Sequence, residues 1–507
     1  MSTNLILPWS SEYDDYLRDE SRSAGEAESI SFPQSESEII EVVNAVRAGG
    51  GSLTTQGART GIVAGAVPHG GHLLNLQRMR AIGLVRRNAE GGALTVQPGA
   101  LLQEISPLVK AEGLFFPPDP TETSASIGGM VSCNSSGAMS FCYGPTRHWV
   151  RALRVVLSDG DILALTRGTQ FARGRTFLLT TEGGRTISGT LPGYSQPPIK
   201  SAAGYYLTDD LDLLDLFIGM EGTLGIISNI ELRLIPAPTA VLGVTAFLPD
   251  EAAALRFVRA LRGEAASGFE KLTSRPVAIE YFNADVLELL RRLREEIASF
   301  EKIPALRPHF HTAVYTEFHG DSEDALEETM LQVLDMIVAL GGNEDDTWCA
   351  TTPRELEPLK AFRHAPPEAV NHLIGERQRR IPALTKLGTD MSAPDSELEA
   401  MMAMYHDGLR QAGLQSVIFG HIGNNHVHVN ILPETLADYA RGKALYLSWA
   451  EQILAHGGAI SAEHGIGKLK IPFLRLMYGE EGIAQMRALK RLFDPQMMLN
   501  PGTLFEA

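Results

Sequence analysis

Three stretches of small residues break up the first part of the chain. Gln56 to Gly71 reads "QGARTGIVAGAVPHGG", Ala125 to Gly137 reads "ASIGGMVSCNSSG", and Gly219 to Ile227 reads "GMEGTLGII". Small side chains let backbone N–H groups come close to an oxyanion, and successive N–H groups form an anion nest. The first stretch is not a Walker A loop, since no Lys-Ser/Thr ends it, and it lacks the G-x-G-x-x-G spacing of a dinucleotide turn. By itself it reads equally well as a flexible surface loop. Three such stretches in one half of the chain point to a large phosphate-bearing cofactor.

Short strands and helices fill the spaces between. The first 30 residues are polar and acidic, an arm or short helix. "SESEIIEVVNAVRAGGG" predicts a helix, with Ser35 and Glu38 at capping-box spacing, an apolar stripe of Ile39, Val42, Val43 and Val46, and Gly49 as C-cap. "ALTVQPGALLQEISPLVKAEG" reads strand, turn, helix. Residues 117–147 form a long loop rich in Pro, Gly, Ser and Asn, a kind that is functional or disordered. "ALRVVLSDGDILAL" is a hairpin with an Asp-Gly turn. After "PAP" at 236–238 the pattern changes to alternating strands and helices, which predicts an α+β domain with helices on one face of an antiparallel sheet. The expected division is residues 1–237, 238–460 and 461–507, the last segment folding back on the first domain.

With 507 residues, two or three domains and a large core are expected. A formal charge of −17 argues against nucleic acid or an anionic membrane as partner. Cys133, Cys142 and Cys349 form no disulfide framework and no C-x-x-C pair, which fits a reducing compartment. No basic n-region and no run of 18 apolar residues is seen, so the expectation is a cytoplasmic protein without a transmembrane segment, free or peripheral to the inner membrane.

The second half carries a cluster of a different kind, "FGHIGNNHVHVNILP" at 419–433, with His421, His426 and His428. The alternation of His426 and His428 in "HVHVNIL" reads as one face of a strand. One isolated histidine is usually a satisfied core residue. Three together, followed by Glu463 and His464 in "SAEHG", offer the imidazoles and carboxylate that a divalent zinc or manganese ion takes. Spacing alone does not bring the two segments together.

The ordered set "GARTGIVAGAVP", "VQPGALLQEI", "PPDPTETSASIGGMVSCNSSG", "YGPTRHWV", "GMEGTLGIIS", "GHIGNNHVHVN", "SAEHGIGKLK" and "FDPQMMLNPG" resembles the FAD-linked D-2-hydroxyacid dehydrogenases. These include D-lactate dehydrogenase, the glycolate oxidase flavin subunit and D-2-hydroxyglutarate dehydrogenase. The resemblance runs from about residue 30 to the C-terminus. It implies a two-subdomain vanillyl-alcohol-oxidase-type FAD-binding domain plus an α+β cap domain. It implies FAD contacts at Arg59, Thr60, Gly61, Ala64, Gly65 and Ala66; at Pro118, Asp119, Ser126, Gly128, Gly129, Asn134 and Gly137; at Glu221, Gly222, Gly225 and Ile227; and at Asn500. Relatives with covalent FAD often use a His in the first loop. Here Arg59 or Thr60 stands at that position, so FAD is expected to be non-covalent.

The resemblance also implies His421, His428 and Glu463 as metal ligands and His464 as the acid/base. Relatives usually read Asp-Gly-Asn where Asn424, Asn425 and His426 stand, which leaves His426 open to substrate, metal or packing. Asn430 is placed near the substrate. The implied reaction takes a D-lactate-like 2-hydroxy acid to the 2-oxo acid, with hydride passing to flavin N5. Electrons then leave to a separate acceptor (quinone, cytochrome or electron-transfer flavoprotein). Such a substrate needs a cation, for which Arg363 in "AFRHAPPEA" and Lys386 in "LTKLGTD" are the candidates; a surface ion pair is the plain alternative for each. A homodimer is compatible with this reading. Glycolate or D-2-hydroxyglutarate are alternative substrates. A non-redox transferase of the ether-lipid synthase branch, a flavin-free metallohydrolase and a flavin-storing module are the competing functions.

Overall fold

A computed structural model describes residues 5–506; the first four residues of the expected N-terminal domain and Ala507 of the C-terminal segment lie outside the described residues. The helix predicted after Ser35 spans Glu36–Ala48 and buries Ile39, Val42, Val43 and Val46. Ser35 Oγ accepts from Glu38 N–H at 3.3 Å, while the Glu38 carboxylate accepts from Gln34 N–H at 2.7 Å, so the reciprocal cap is displaced by one residue. That stripe packs on Leu53, Leu74, Val156, Ile226, Met498 and Leu499.

Two sheets organise the N-terminal half. In the first, Ser29–Ser31, His72–Asn75 and Leu53–Gln56 run parallel, with Leu7–Pro8 antiparallel at the edge. The polar N-terminal segment therefore adds strands and a 3-10 turn, Ser11–Leu17, to this sheet. In the second, Arg86–Asn88, Gly91–Val96, Ile226–Pro236, Val150–Val156 and Ile162–Thr166 pair antiparallel in that order, the last two forming the predicted hairpin. The C-terminal stretch returns to the first sheet: Leu53 N–H donates to Met498 O and Asn500 N–H to Leu53 O.

Pro236 ends the last long strand of this half, and Ala240–Leu248 opens a seven-stranded antiparallel sheet. The expectation of helices on one face is corrected here. Leu242, Val244 and Ala246 pack with the helices Glu251–Leu261 and Glu323–Ala339. Phe247, Ala313 and Tyr315, which point the other way, pack with Ala284–Glu296 and Pro353–Arg380. The cause is in the sequence: "AVLGVTAFL" is apolar on both sides of the strand, so both faces demand cover. Among the described residues no helix is long and apolar enough to cross a membrane.

Candidate active site at the junction of the two halves

The histidine segment does not run as one strand. Ser416–Gly420 ends, a 3-10 turn takes Ile422–Asn424, Asn425 adopts a left-handed φ of 53°, and the next strand begins only at His428. His426 therefore precedes the strand, and its proximity to His428 comes from the turn. Register does the remaining placement. Tyr281 pairs with Gly420, which sets Glu280 beside His421, and Gly388 pairs with Asn430. His428 and Asn430 share a strand face.

The structure brings His421, His426, His428 and Glu463 together, with one donor atom from each all within 4.8 Å of one another. Glu463 Oε1 lies 3.3 Å from His421 Nε2, 3.5 Å from His428 Nε2 and 3.6 Å from His464 Nε2. Its other oxygen accepts from Lys200 Nζ at 2.8 Å and Ser136 Oγ at 3.0 Å. The outer nitrogens are anchored as metal-binding imidazoles usually are. His421 Nδ1 meets Glu280 Oε1 at 2.7 Å and His428 Nδ1 meets Thr389 O at 2.9 Å. Asp390, fully buried, collects Ser461 Oγ, Lys470 Nζ and the N–H groups of Glu463 and His464. It also lies 3.3 Å from His464 Nδ1.

Charge balance here is internal. Burial opposes charging His421, but Glu280 and Glu463 outweigh it and push its pKa up to about 9. Burial opposes ionising Glu463, yet Lys200 and His421 hold its pKa well below the usual carboxylate range. For His426 burial dominates, and the nearby Lys200 and His428 add to it, so the ring stays neutral. An ionised carboxylate and imidazoles anchored at their outer nitrogens are what a divalent cation requires, and its binding would displace the His421 proton, so these residues fit one.

Arg363 is buried 8% exposed and donates to Asp119 Oδ2 at 3.0 Å, while its Nε has no partner. It and His421 both lower the pKa of buried Glu280, against the opposing effect of burial. The carboxylate of Asp119, expected at the flavin, accepts from Arg363. Lys386 does not join the group. Its Nζ donates to Asn371 Oδ1 at 3.0 Å, and the charges beside it are Arg22 and Glu20. The buried lysine at the site is Lys200, and it, Ser136, Glu280 and Asp390 were not singled out in the sequence. A lone acid inside apolar "VAIEYF" is a signal that could have found Glu280; no local pattern marks Lys200.

The first small-residue loop has a fitting cradle for oxyanions. Among the described residues the backbone N–H groups of 59–65, which include Thr60, Gly61, Ala64 and Gly65, have no protein acceptor, whereas Ala66 N–H faces the Asp19 carboxylate. The loop is held from its carbonyl side: Lys468 N–H donates to Val63 O at 2.9 Å, and Lys468 Nζ reaches Ala64 O and Gly65 O. Gly467 makes this docking possible, since a Cβ there would lie 2.0 Å from Val63 O and its φ is +52°. The Arg59 side chain is committed elsewhere, over the Tyr16 ring and onto Asp15 O.

Ser126 Oγ caps the helix Ile127–Cys133 at Gly129 N–H and also accepts from Ala58 N–H, joining the first two loops. Asn134, left-handed, accepts from Arg147 N–H. Buried Glu221 accepts from Ile466 N–H at 2.8 Å and Gly467 N–H at 2.7 Å, and burial pushes its pKa up to about 7 against those bonds. Asn500 Nδ2 donates to Glu221 O and packs on Gly222. Gly128, Gly137 and Gly225 are close-packed on protein, where a Cβ would meet Pro98, Asp119 O beside buried Pro118, and Val155. Ile227 is buried in the strand Ile226–Pro236.

Residues 238–504 match the family described as FAD linked oxidases, C-terminal domain, and residues 27–166 match the FAD binding domain. The chain belongs to the FAD-linked oxidases. It is 28% identical over 502 residues to a D-lactate dehydrogenase of Anaerostipes hadrus, covering 97% of this chain and 92% of that one. It is 28% identical to the glycolate oxidase subunit GlcD of Bacillus subtilis, covering 94% and 89%. It is 29% identical to a D-2-hydroxyglutarate dehydrogenase of Xanthomonas citri pv. viticola, again covering 94% and 89%. Among solved structures, an alkyldihydroxyacetonephosphate synthase superposes with a TM-score of 0.65 at 15% identity, covering 99% of this chain and 82% of that one. This last likeness is one of fold, and it places the FAD-linked oxidase chain in the vanillyl-alcohol-oxidase-type architecture.

Proposed function

We propose that the chain oxidises a D-2-hydroxy acid of the D-lactate type to its 2-oxo acid, with non-covalent FAD and a separate final electron acceptor. The observation that carries this reading is the convergence of the His421, His428 and His464 nitrogens on Glu463 Oε1, with Arg363, paired to Asp119, near enough to Glu280 to lower its pKa. Bound FAD supplies a two-electron acceptor, and a zinc or manganese ion held by His421, His428 and Glu463 supplies Lewis acidity toward a hydroxyl oxygen.

The protein's own groups handle charge, orientation and the proton. Arg363 exchanges Asp119 for the substrate carboxylate, and Asp119, 29% exposed and still near Lys360, turns to water. Its unpartnered Nε makes the pairing bidentate. Asp390 holds His464 through Nδ1, which presents Nε2 to take the hydroxyl proton. Asn430, on the strand face of His428, orients the substrate.

The test is anaerobic mixing of the yellow protein with D- and L-lactate, glycolate and D-2-hydroxyglutarate. Rapid bleaching by D-lactate or a close D-homologue and none by the L-acid is expected. Faster bleaching by glycolate or D-2-hydroxyglutarate makes that acid the substrate, and no bleaching by any acid overturns the reading. Acid precipitation should release the yellow colour to the supernatant.

A further inference from the structure

His426 is fully buried. Nε2 comes within 3.1 Å of Asp390 Oδ1, close enough to lower the Asp390 pKa, while Nδ1 has no partner among the described residues. Buried polar side-chain atoms nearly always have partners, so a buried imidazole with an open nitrogen calls for one. Its surroundings show which kind. Its ring centroid is 4.6 Å from that of His428 and 5.4 Å from that of His421, and its donor atom lies within 4.8 Å of those of both histidines and Glu463. A substrate contact needs access, and this ring has none. A proton carrier also needs exchange with solvent, which His464, more exposed, has and His426 does not.

We propose that His426 is a fourth protein ligand of the divalent ion, so that three imidazoles and one carboxylate surround it. This role rests on the reading of His421, His428 and Glu463 as ligands. It has a consequence for which ion is taken. Imidazole suits zinc and the later transition ions, whereas carboxylate and water suit manganese and magnesium. A third imidazole therefore tilts the site away from manganese toward zinc, cobalt or nickel. An ion able to accept five or six ligands still keeps positions for a bidentate 2-hydroxy acid.

The flavin-loaded protein, stripped of its native ion and loaded with copper(II), is examined by pulsed electron paramagnetic resonance, which counts coordinated imidazoles. Three in the wild-type protein and two in His426→Asn are expected. Chelator competition with zinc should show His426→Asn weaker by at least about 100-fold, since loss of outer partners alone costs up to that much, with the zinc-over-manganese preference reduced. Two imidazoles in the wild-type protein, or a His426→Asn variant with unchanged zinc affinity, overturns the proposal while leaving the three-ligand site standing. A wild-type protein that binds none of these ions overturns the site itself. Where His426→Asn fails to fold, His464→Ala takes its place: three imidazoles in that variant leave His426 as the third, and two overturn the proposal.

Discussion

At residues 59–65 it is the main chain that is left open, whereas around Glu463 it is the side chains that make the site. The loop turns its amides outward and is gripped through its carbonyls by Lys468 and, at Ala66 O, by Gln56. Around Glu463 one carboxylate oxygen takes Lys200 and Ser136 from the first half of the chain, and the other faces His421 and His428 from the second. A site made from amides tolerates any small residue, while a site made from side chains tolerates almost no change of type. Substitutions in the two regions should therefore differ in size and in kind.

Glu463→Gln should have the largest effect. It removes the charge opposite buried Lys200, and breaking such a pair costs about 3–5 kcal/mol. The denaturation midpoint should fall and elemental analysis should find no bound ion; a stable variant with full metal content contradicts the assignment. His464→Ala should keep metal and flavin but slow single-turnover flavin reduction by about 10²–10⁴-fold. Should metal be lost as well, His464 is a ligand and the base lies elsewhere. Arg363→Ala removes a charge-assisted contact worth on the order of 2–4 kcal/mol. The expected outcome is a much raised KM, and unchanged kinetics would return Arg363 to a structural pair with Asp119.

Smaller effects belong to the loop side. Glu221 titrates at about 7 when folded, against 4.5 as the ordinary value. Its neutral form is favoured by folding, so that stability is full below 4.5 and is lost as pH rises through about 7. The loss is on the order of 1–3 kcal/mol. Denaturant midpoints followed across that range should fall, and should flatten in Glu221→Gln; an equal slope in both would exclude Glu221 as the source. The smallest change is expected from Gly61→Ala, where a Cβ meets nothing within 4 Å. Apoprotein stability should shift by less than about 0.5 kcal/mol, with any loss confined to flavin retention in dialysis. A large drop in apoprotein stability would show that the loop is not open.

How much of this was legible followed the same division. The small-residue loops stood out because the backbone's need for space is written directly as side-chain size. The helix from Glu36 stood out because cap and stripe are local. His426 was misplaced on a strand because the 3-10 turn and left-handed Asn425 use up residues that an extended chain would not; the Asn-Asn pair was the available hint. The sequence points to Lys386 and leaves Lys200 unmarked because nothing in a lysine's neighbours along the chain tells which one folding will bring to the site. Cover on both faces of the large sheet was readable in the unbroken apolar strand at 240–248 and was overlooked.

The docking of Gly467 and Lys468 on Val63 has a practical consequence for handling the protein. The peptide that bears Glu463 and His464 continues without a break into the clamp on the flavin loop. Stripping the yellow colour to prepare apoprotein should therefore loosen the carboxylate that faces the histidines, so a fully flavin-free preparation should hold an ion there less tightly than the flavin-loaded protein.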